Sequence, residues 1–221
     1  MQKSERILGC IFIPVHSVVL PILLVIILTL FDLDLTSPYQ MLLYYTASFV
    51  LILAVMFRYL RASFSDMIDE FWRAIRAVIM GYLLFRILLW VAGFLLTSIM
   101  SSSNPNQDVI TTDIASNFRV MAVVTCILAP IVEEAMFRGA LFGTIRQKNR
   151  IVAYIVSTLL FCLFHLWSNL VFDFSWTMVL YLIQYVPASI ALAWCYERGG
   201  TIWSPILLHA SINLIATLQS R

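Results

Sequence analysis

Stretches of about twenty apolar residues return along the whole chain, at approximately 7 to 31, 38 to 57, 75 to 98, 120 to 143, 151 to 171, 175 to 196 and 201 to 218. The hydrocarbon layer of a bilayer is about 30 Å thick and a helix rises about 1.5 Å per residue, so each run is long enough to cross it. In lipid every backbone polar group needs an internal partner, which confines such a chain to helices that bundle together. The residues are 62% hydrophobic and 12% charged, where an ordinary soluble domain carries about 25% charged residues. The expected fold class is all-α: a polytopic transmembrane bundle of seven spans in one membrane unit. The formal charge of +2 is small and dispersed, which excludes the basic face that nucleic-acid binding needs.

Cytoplasmic segments of membrane proteins are enriched in Lys and Arg, and the connections between these runs alternate accordingly. Lys3 and Arg6, then Arg58, Arg61, Arg73 and Arg76, then Arg146, Lys148 and Arg150, then Arg198 make ten of the fourteen basic residues. The opposite side has Arg119 and Arg221, which leaves Arg86 and Arg138 within spans. The pattern predicts a cytoplasmic N-terminus and an outside C-terminus. The first run is longer than the 7 to 15 residue core of a cleavable signal peptide and reads as a retained span. Phe64, Met67, Ile68, Phe71, Trp72 and Ile75 recur at helical spacing opposite Asp66, Asp69 and Glu70, which predicts a short interfacial helix. The polar segment from Ser101 to Asn117 reads as a mobile, solvated connector outside the cytoplasm, with a gate on access from outside as the alternative. Cys10, Cys126, Cys162 and Cys195 fall in separate apolar runs without metal-ligand spacing and read as packing residues.

Charged and polar side chains inside spans are costly, face the bundle interior and are candidates for function. Counted from the nearest cytoplasmic basic residue of its own span, Glu133 lies roughly 20 Å deep, His165 roughly 22 Å, and His209 and Asn213 roughly 16 and 22 Å. Four side chains from three spans thus reach similar depth. Glu134 and Arg138 are four apart and can pair on one helix face, whereas Glu133 is rotated about 100° from them. One acid can be neutralised while its neighbour points into a cavity. His209 and Asn213 also share a face, as do Phe161 and His165.

A carboxylate in low-dielectric surroundings can serve as a general base, helped by an imidazole that holds the same water. Donors such as His209 and Asn213 can stabilise the oxyanion formed when water adds to a peptide carbonyl. Glu133, His165 and His209 are also ligand types that suit a divalent metal such as zinc. No HExxH helix is present, and the metal-free reading is favoured. The structural reading of Glu133 is a buried acid paired with Arg86 or Arg138; His165 and His209 read structurally as core histidines bonded to carbonyls. His16 and Arg86 carry no motif and read as structural.

These residues carry a resemblance. Glu133 to Arg138 looks like the EExxxR motif, Phe161 to His165 the FxxxH motif and His209 to Asn213 the HxxxN motif of the CAAX protease and bacteriocin-processing family, also called the Abi family and related to the type II CAAX prenyl endopeptidases. The order and the placement in the last four spans match, over residues 120 to 218; residues 1 to 119 carry no matching motif. The resemblance implies an intramembrane endopeptidase in which Glu133 and His165 activate water, His209 and Asn213 face the oxyanion, and Glu134, Arg138 and Phe161 support them. It implies a hydrophobic or membrane-bound peptide or protein as substrate and the lipid bilayer as surroundings, with a bacterial plasma membrane as the expected location. The family has carried a metal-dependent label, and its eukaryotic members have a further span. Bacterial members are associated with peptide maturation, bacteriocin immunity and the regulation of membrane sensors. A non-proteolytic membrane partner and a proton-coupled transporter are the alternative readings.

Overall fold

The computed structural model describes residues 1–97, 104–172 and 175–220. Among these residues the chain is entirely helix and short connection. Eight helices follow one another: α1 Lys3–Leu30, α2 Ser37–Asp69, α3 Phe71–Thr97, α4 Pro105–Ser116, α5 Phe118–Arg146, α6 Arg150–Phe172, α7 Trp176–Gly199 and α8 Trp203–Gln219. The helical segments α1, α2, α3, α5, α6 and α7 are long and apolar enough to cross a membrane, and this is an integral membrane protein. The expected seventh span is α8, whose 17 residues make it shorter than the other six. The residues expected to form a separate interfacial helix do not. Residues 64–69 end α2, beyond its kink at Met56, and residues 71–75 begin α3, with Glu70 between the two helices.

The expected connector is also different. Residues 98–103 and Arg221 lie outside the described residues, but Pro105–Ser116 form α4, because Asn104 accepts from the Asn106 N–H as its N-cap and Pro105 stands where no helical donor is needed. Asp113 of α4 is buried and accepts a hydrogen bond from Ser37 Oγ at 2.7 Å, which ties α4 to the start of α2.

One apolar core joins both halves of the chain. Phe12 of α1 and Ile52 and Met56 of α2 pack with Val132, Met136 and Phe137 of α5, and with residues of α7 and α8. Small residues let the backbones approach, as is common between membrane helices. A side chain at Gly9 would stand 2.6 Å from Ala140 of α5, and one at Gly139 3.1 Å from Tyr59 of α2. α2 is kinked at Met56 (φ −119°, ψ 16°). A break in the helical ladder strands backbone donors, and here the buried Glu5 carboxylate accepts the Tyr59 N–H at 3.0 Å and the Gln2 N–H at 2.7 Å. At the end of α7, Gly200 adopts φ +74° as a left-handed C-cap.

The closest approach is at Gly199, where an added Cβ would lie 2.1 Å from Ser204 Oγ and 2.5 Å from its Cβ. Ser204 is fully buried. Gly199→Ala is therefore expected to destabilise the protein by about 1–3 kcal/mol through overpacking, read as a lowered unfolding midpoint in detergent; an unchanged midpoint would show that α7 and α8 can separate freely.

Candidate active site

The site is built on α5, a helix interrupted by two wider π-helical turns, Val124–Leu128 and Ala135–Phe142. In the first turn the Ala129 N–H reaches back to the Val124 carbonyl. The next donor in that register would come from residue 130, which is proline and has no N–H. The Thr125 carbonyl is thereby left for another partner, and Asn213 of α8 donates to it through Nδ2 at 2.7 Å. A local defect in one helix thus orients a side chain of another. π-Bulges are frequent at functional sites.

Glu133 and Glu134 follow, both buried. They point into different surroundings, as their rotation about the helix requires. Glu134 faces Arg138 within a fully buried pair: its Oε2 lies 3.2 Å from Arg138 Nε, and its Oε1 accepts from Arg138 Nη1 at 3.3 Å. Arg138 also donates through Nη2 to the carbonyl and hydroxyl oxygens of Ser189 on α7, both at 3.2 Å, and its guanidinium lies 4.2 Å from the centre of the Phe161 ring. The same Glu134 Oε1 is 2.8 Å from Nδ1 of His209. One carboxylate therefore holds both an arginine of its own helix and a histidine of α8.

Glu133 has different partners. Its Oε1 accepts from the Tyr45 hydroxyl of α2 at 2.9 Å. Its Oε2 is buried without a hydrogen bond and faces Nε2 of His165 at 3.8 Å. His165 Nδ1 lies 2.8 Å from the Phe161 carbonyl; a carbonyl only accepts, so Nδ1 carries the proton and the neutral ring leaves a lone pair on Nε2. Two acceptors, Oε2 and Nε2, thus face one another with no donor between them. A water donating one hydrogen bond of about 2.8 Å to each would fit between them. Phe161 forms the wall between the two carboxylate systems, with its ring 4.4 Å from that of His165 and 6.2 Å from that of His209.

The site opens into a cavity of about 970 Å³. Glu133, His165, His209 and Asn213 line it together with Pro21 and Leu24 of α1, Phe85 and Leu89 of α3, and Asn106 and Ile110 of α4. Asn106 Nδ2 donates to the Tyr185 hydroxyl at 2.9 Å, and Asn104 Nδ2 donates to Gln184 Oε1 at 2.7 Å, fastening α4 to α7. The Tyr185 ring lies tilted against that of His165 with centroids 4.6 Å apart. The segment expected to be a solvated connector is instead part of the cavity wall.

Of the seven residues singled out from the sequence, Arg138, His165 and His209 surround Phe161, Glu134 and Glu133 pair with them, and Asn213 lines the same cavity, while Arg86 stands apart. It is exposed on α3 and pairs with neither glutamate. His16 is fully buried, 2.8 Å from Ser48 Oγ through Nδ1 and stacked on Tyr44. Among the described residues no three His, Cys, Asp or Glu side chains are grouped closely enough to hold a metal ion; His209 and His165 each engage Nδ1, with Glu134 and with the Phe161 carbonyl, which leaves Nε2 of each ring for another partner. Sequence reasoning missed Tyr45, which lies outside every motif, and Thr125 and Ser189, whose roles depend on neighbouring helices.

Residues 115–215, which contain all seven of these residues, match the family of type II CAAX prenyl endopeptidase Rce1-like proteins. The resemblance carried by the three motifs is borne out over that segment. Among curated relatives, UPF0177 protein YxdF of Lactococcus lactis is 34% identical over 88 residues, 40% of this chain and 43% of that protein. UPF0177 protein YaiH of the same species is 32% identical over 96 residues, 43% of this chain and 36% of that protein. The Bacillus subtilis protein named "Putative membrane peptidase YdiL" is 27% identical over 108 residues, 48% of this chain and 40% of its own length. The chain spans less than half the length of the curated relatives it matches. No solved structure matches the chain.

Proposed function

We propose that this protein is an intramembrane endopeptidase that hydrolyses a peptide bond in a hydrophobic or membrane-bound peptide, using water held between Glu133 and His165. The observation that carries the reading is the buried, unbonded Glu133 Oε2 facing the Nε2 lone pair of His165 at 3.8 Å. Water in that gap donates to both acceptors and turns its own lone pairs toward the cavity. Glu133 removes a proton as the water oxygen adds to the carbonyl carbon. The resulting oxyanion accepts hydrogen bonds from the Asn213 N–H that Thr125 does not use and from Nε2–H of His209. Because Nδ1 of His209 is turned to the Glu134 carboxylate, donation from Nε2 needs the doubly protonated ring. The charges then balance: Glu133 and Glu134 against Arg138 and His209. Collapse of the intermediate breaks the C–N bond, and Glu133 returns its proton to the leaving nitrogen.

The cavity extends from these residues to α4 and to Ser37 and Ser220, the side of the basic-poor connections. With the N-terminus cytoplasmic, substrate enters from the outer leaflet. The test compares the peptides that accumulate in cells carrying the intact protein and cells carrying His165→Ala. Products found only with the intact protein support the reading; identical peptide sets with both, at equal protein levels, overturn it.

Tyr45 positions the base. Its hydroxyl occupies Glu133 Oε1, so that Oε2 is the oxygen left for water. Tyr45→Phe removes one hydrogen bond to a charged group, worth about 1.5–3 kcal/mol. The expected result is a fall in kcat of about tenfold or more with KM unchanged; a change in KM alone would show that Tyr45 serves substrate binding.

A further inference from the structure

We infer that the exposed face of α3 around Arg86 is a docking surface for a membrane-spanning helix that carries a carboxylate at mid-span. Ile79, Leu83, Arg86 and Trp90 follow one another at spacings of four, three and four residues, which makes a single stripe along α3. The stripe is open throughout: Ile79 is 51% exposed, Leu83 50% and Trp90 74%, and Arg86 is exposed between them. Such a spacing is the seam by which one helix packs against another.

Arg86 is the anomaly in this otherwise apolar stripe. It lies ten residues beyond Arg76 and eleven before the end of α3, roughly 15 Å from either boundary by the rise of a helix. That is too deep for the snorkelling open to residues near helix ends. A guanidinium in hydrocarbon demands a counter-charge, yet Arg86 has no ion pair or hydrogen bond among the described residues. The internal acids are otherwise engaged: Glu134 holds Arg138 and His209, and Glu133 holds Tyr45.

Charge selects the occupant. A second copy docking through the same stripe would set Arg86 against Arg86. Among the described residues it also presents no exposed carboxylate at mid-span: Asp32, Asp34, Asp66, Asp69, Glu70 and Asp108 lie at helix ends, in connections or on α4. A helix of a different protein with one Asp or Glu at its centre answers both the apolar stripe and the charge. Docked there, it lies beside Phe85 and Leu89, which line the cavity one residue round the same helix.

The full-length protein, labelled with a donor dye and reconstituted in phosphatidylcholine vesicles, is titrated with acceptor-labelled synthetic leucine–alanine helices that differ only in a central aspartate or leucine. The aspartate helix is expected to associate about tenfold more tightly. Arg86→Leu abolishes that preference, and Arg86→Asp transfers it to a helix with a central lysine. Equal association of the two helices, or a preference that survives Arg86→Leu, overturns the inference. Because the readout is association, it stands or falls independently of peptide hydrolysis.

Discussion

Purified protein bearing Glu133→Gln is expected to lose proteolytic turnover by about 10³-fold while keeping its fold, the scale on which a general acid–base group contributes. The substitution is close to isosteric, and the amide oxygen can still accept from the Tyr45 hydroxyl that now binds Oε1 at 2.9 Å. What it removes is the basic Oε2 opposite His165. The loss therefore falls on kcat, with KM and the unfolding midpoint close to those of the wild type. Single-turnover cleavage of a hydrophobic peptide in detergent or vesicles reads the first, and thermal unfolding the second. Wild-type turnover in a folded Glu133→Gln protein would remove Glu133 from the mechanism. A cellular effect that persists in this variant, when cleavage has gone, would assign the biological role to binding and not to hydrolysis.

The largest effect on stability is expected at Glu134. Arg138 and Glu134 are both fully inaccessible to solvent, and breaking a buried pair by removing one partner costs about 3–5 kcal/mol because the remaining charge is uncompensated. Glu134→Leu also deprives His209 Nδ1 of its acceptor. Arg138→Met combined with Glu134→Leu should recover most of that stability, since replacing both partners of a buried pair by apolar groups is often neutral or stabilising. Activity should not return with it, because His209 is then unheld. Unfolding midpoints of the two single variants and the double variant check this. A Glu134→Leu protein as stable as the wild type would mean that Ser189 and the Phe161 ring suffice to hold Arg138.

The site was legible in the sequence to the extent that it is written within single helices. Glu134 and Arg138, four apart, pair as their spacing dictates, and Glu133, next to Glu134, turns away as the helical rotation requires. The shared depth of His165, His209 and Asn213 also follows from counting along each span. Partners across helices were not legible. Nothing near Tyr45 marks it as the neighbour of a residue 88 positions later. The bond from Asn213 to Thr125 depends on a π-helical turn meeting Pro130, a register that composition does not reveal.

The same division holds for the fold. Apolar runs of membrane-spanning length, broken by polar connections, determined by themselves that the chain is a helical membrane bundle, because lipid leaves the backbone no other way to satisfy its hydrogen bonds. Only the tertiary structure decided that residues 105–116 form a helix lining the cavity, that the amphipathic stretch merges into α2 and α3, and that Arg138 is enclosed while Arg86 is exposed. Hydropathy registers the cost of taking each residue from water into lipid; it contains no term for which neighbour receives it. The choice between a paired, enclosed arginine and an unpaired, outward one rests on packing between helices distant in the chain, and it exists only once they have come together.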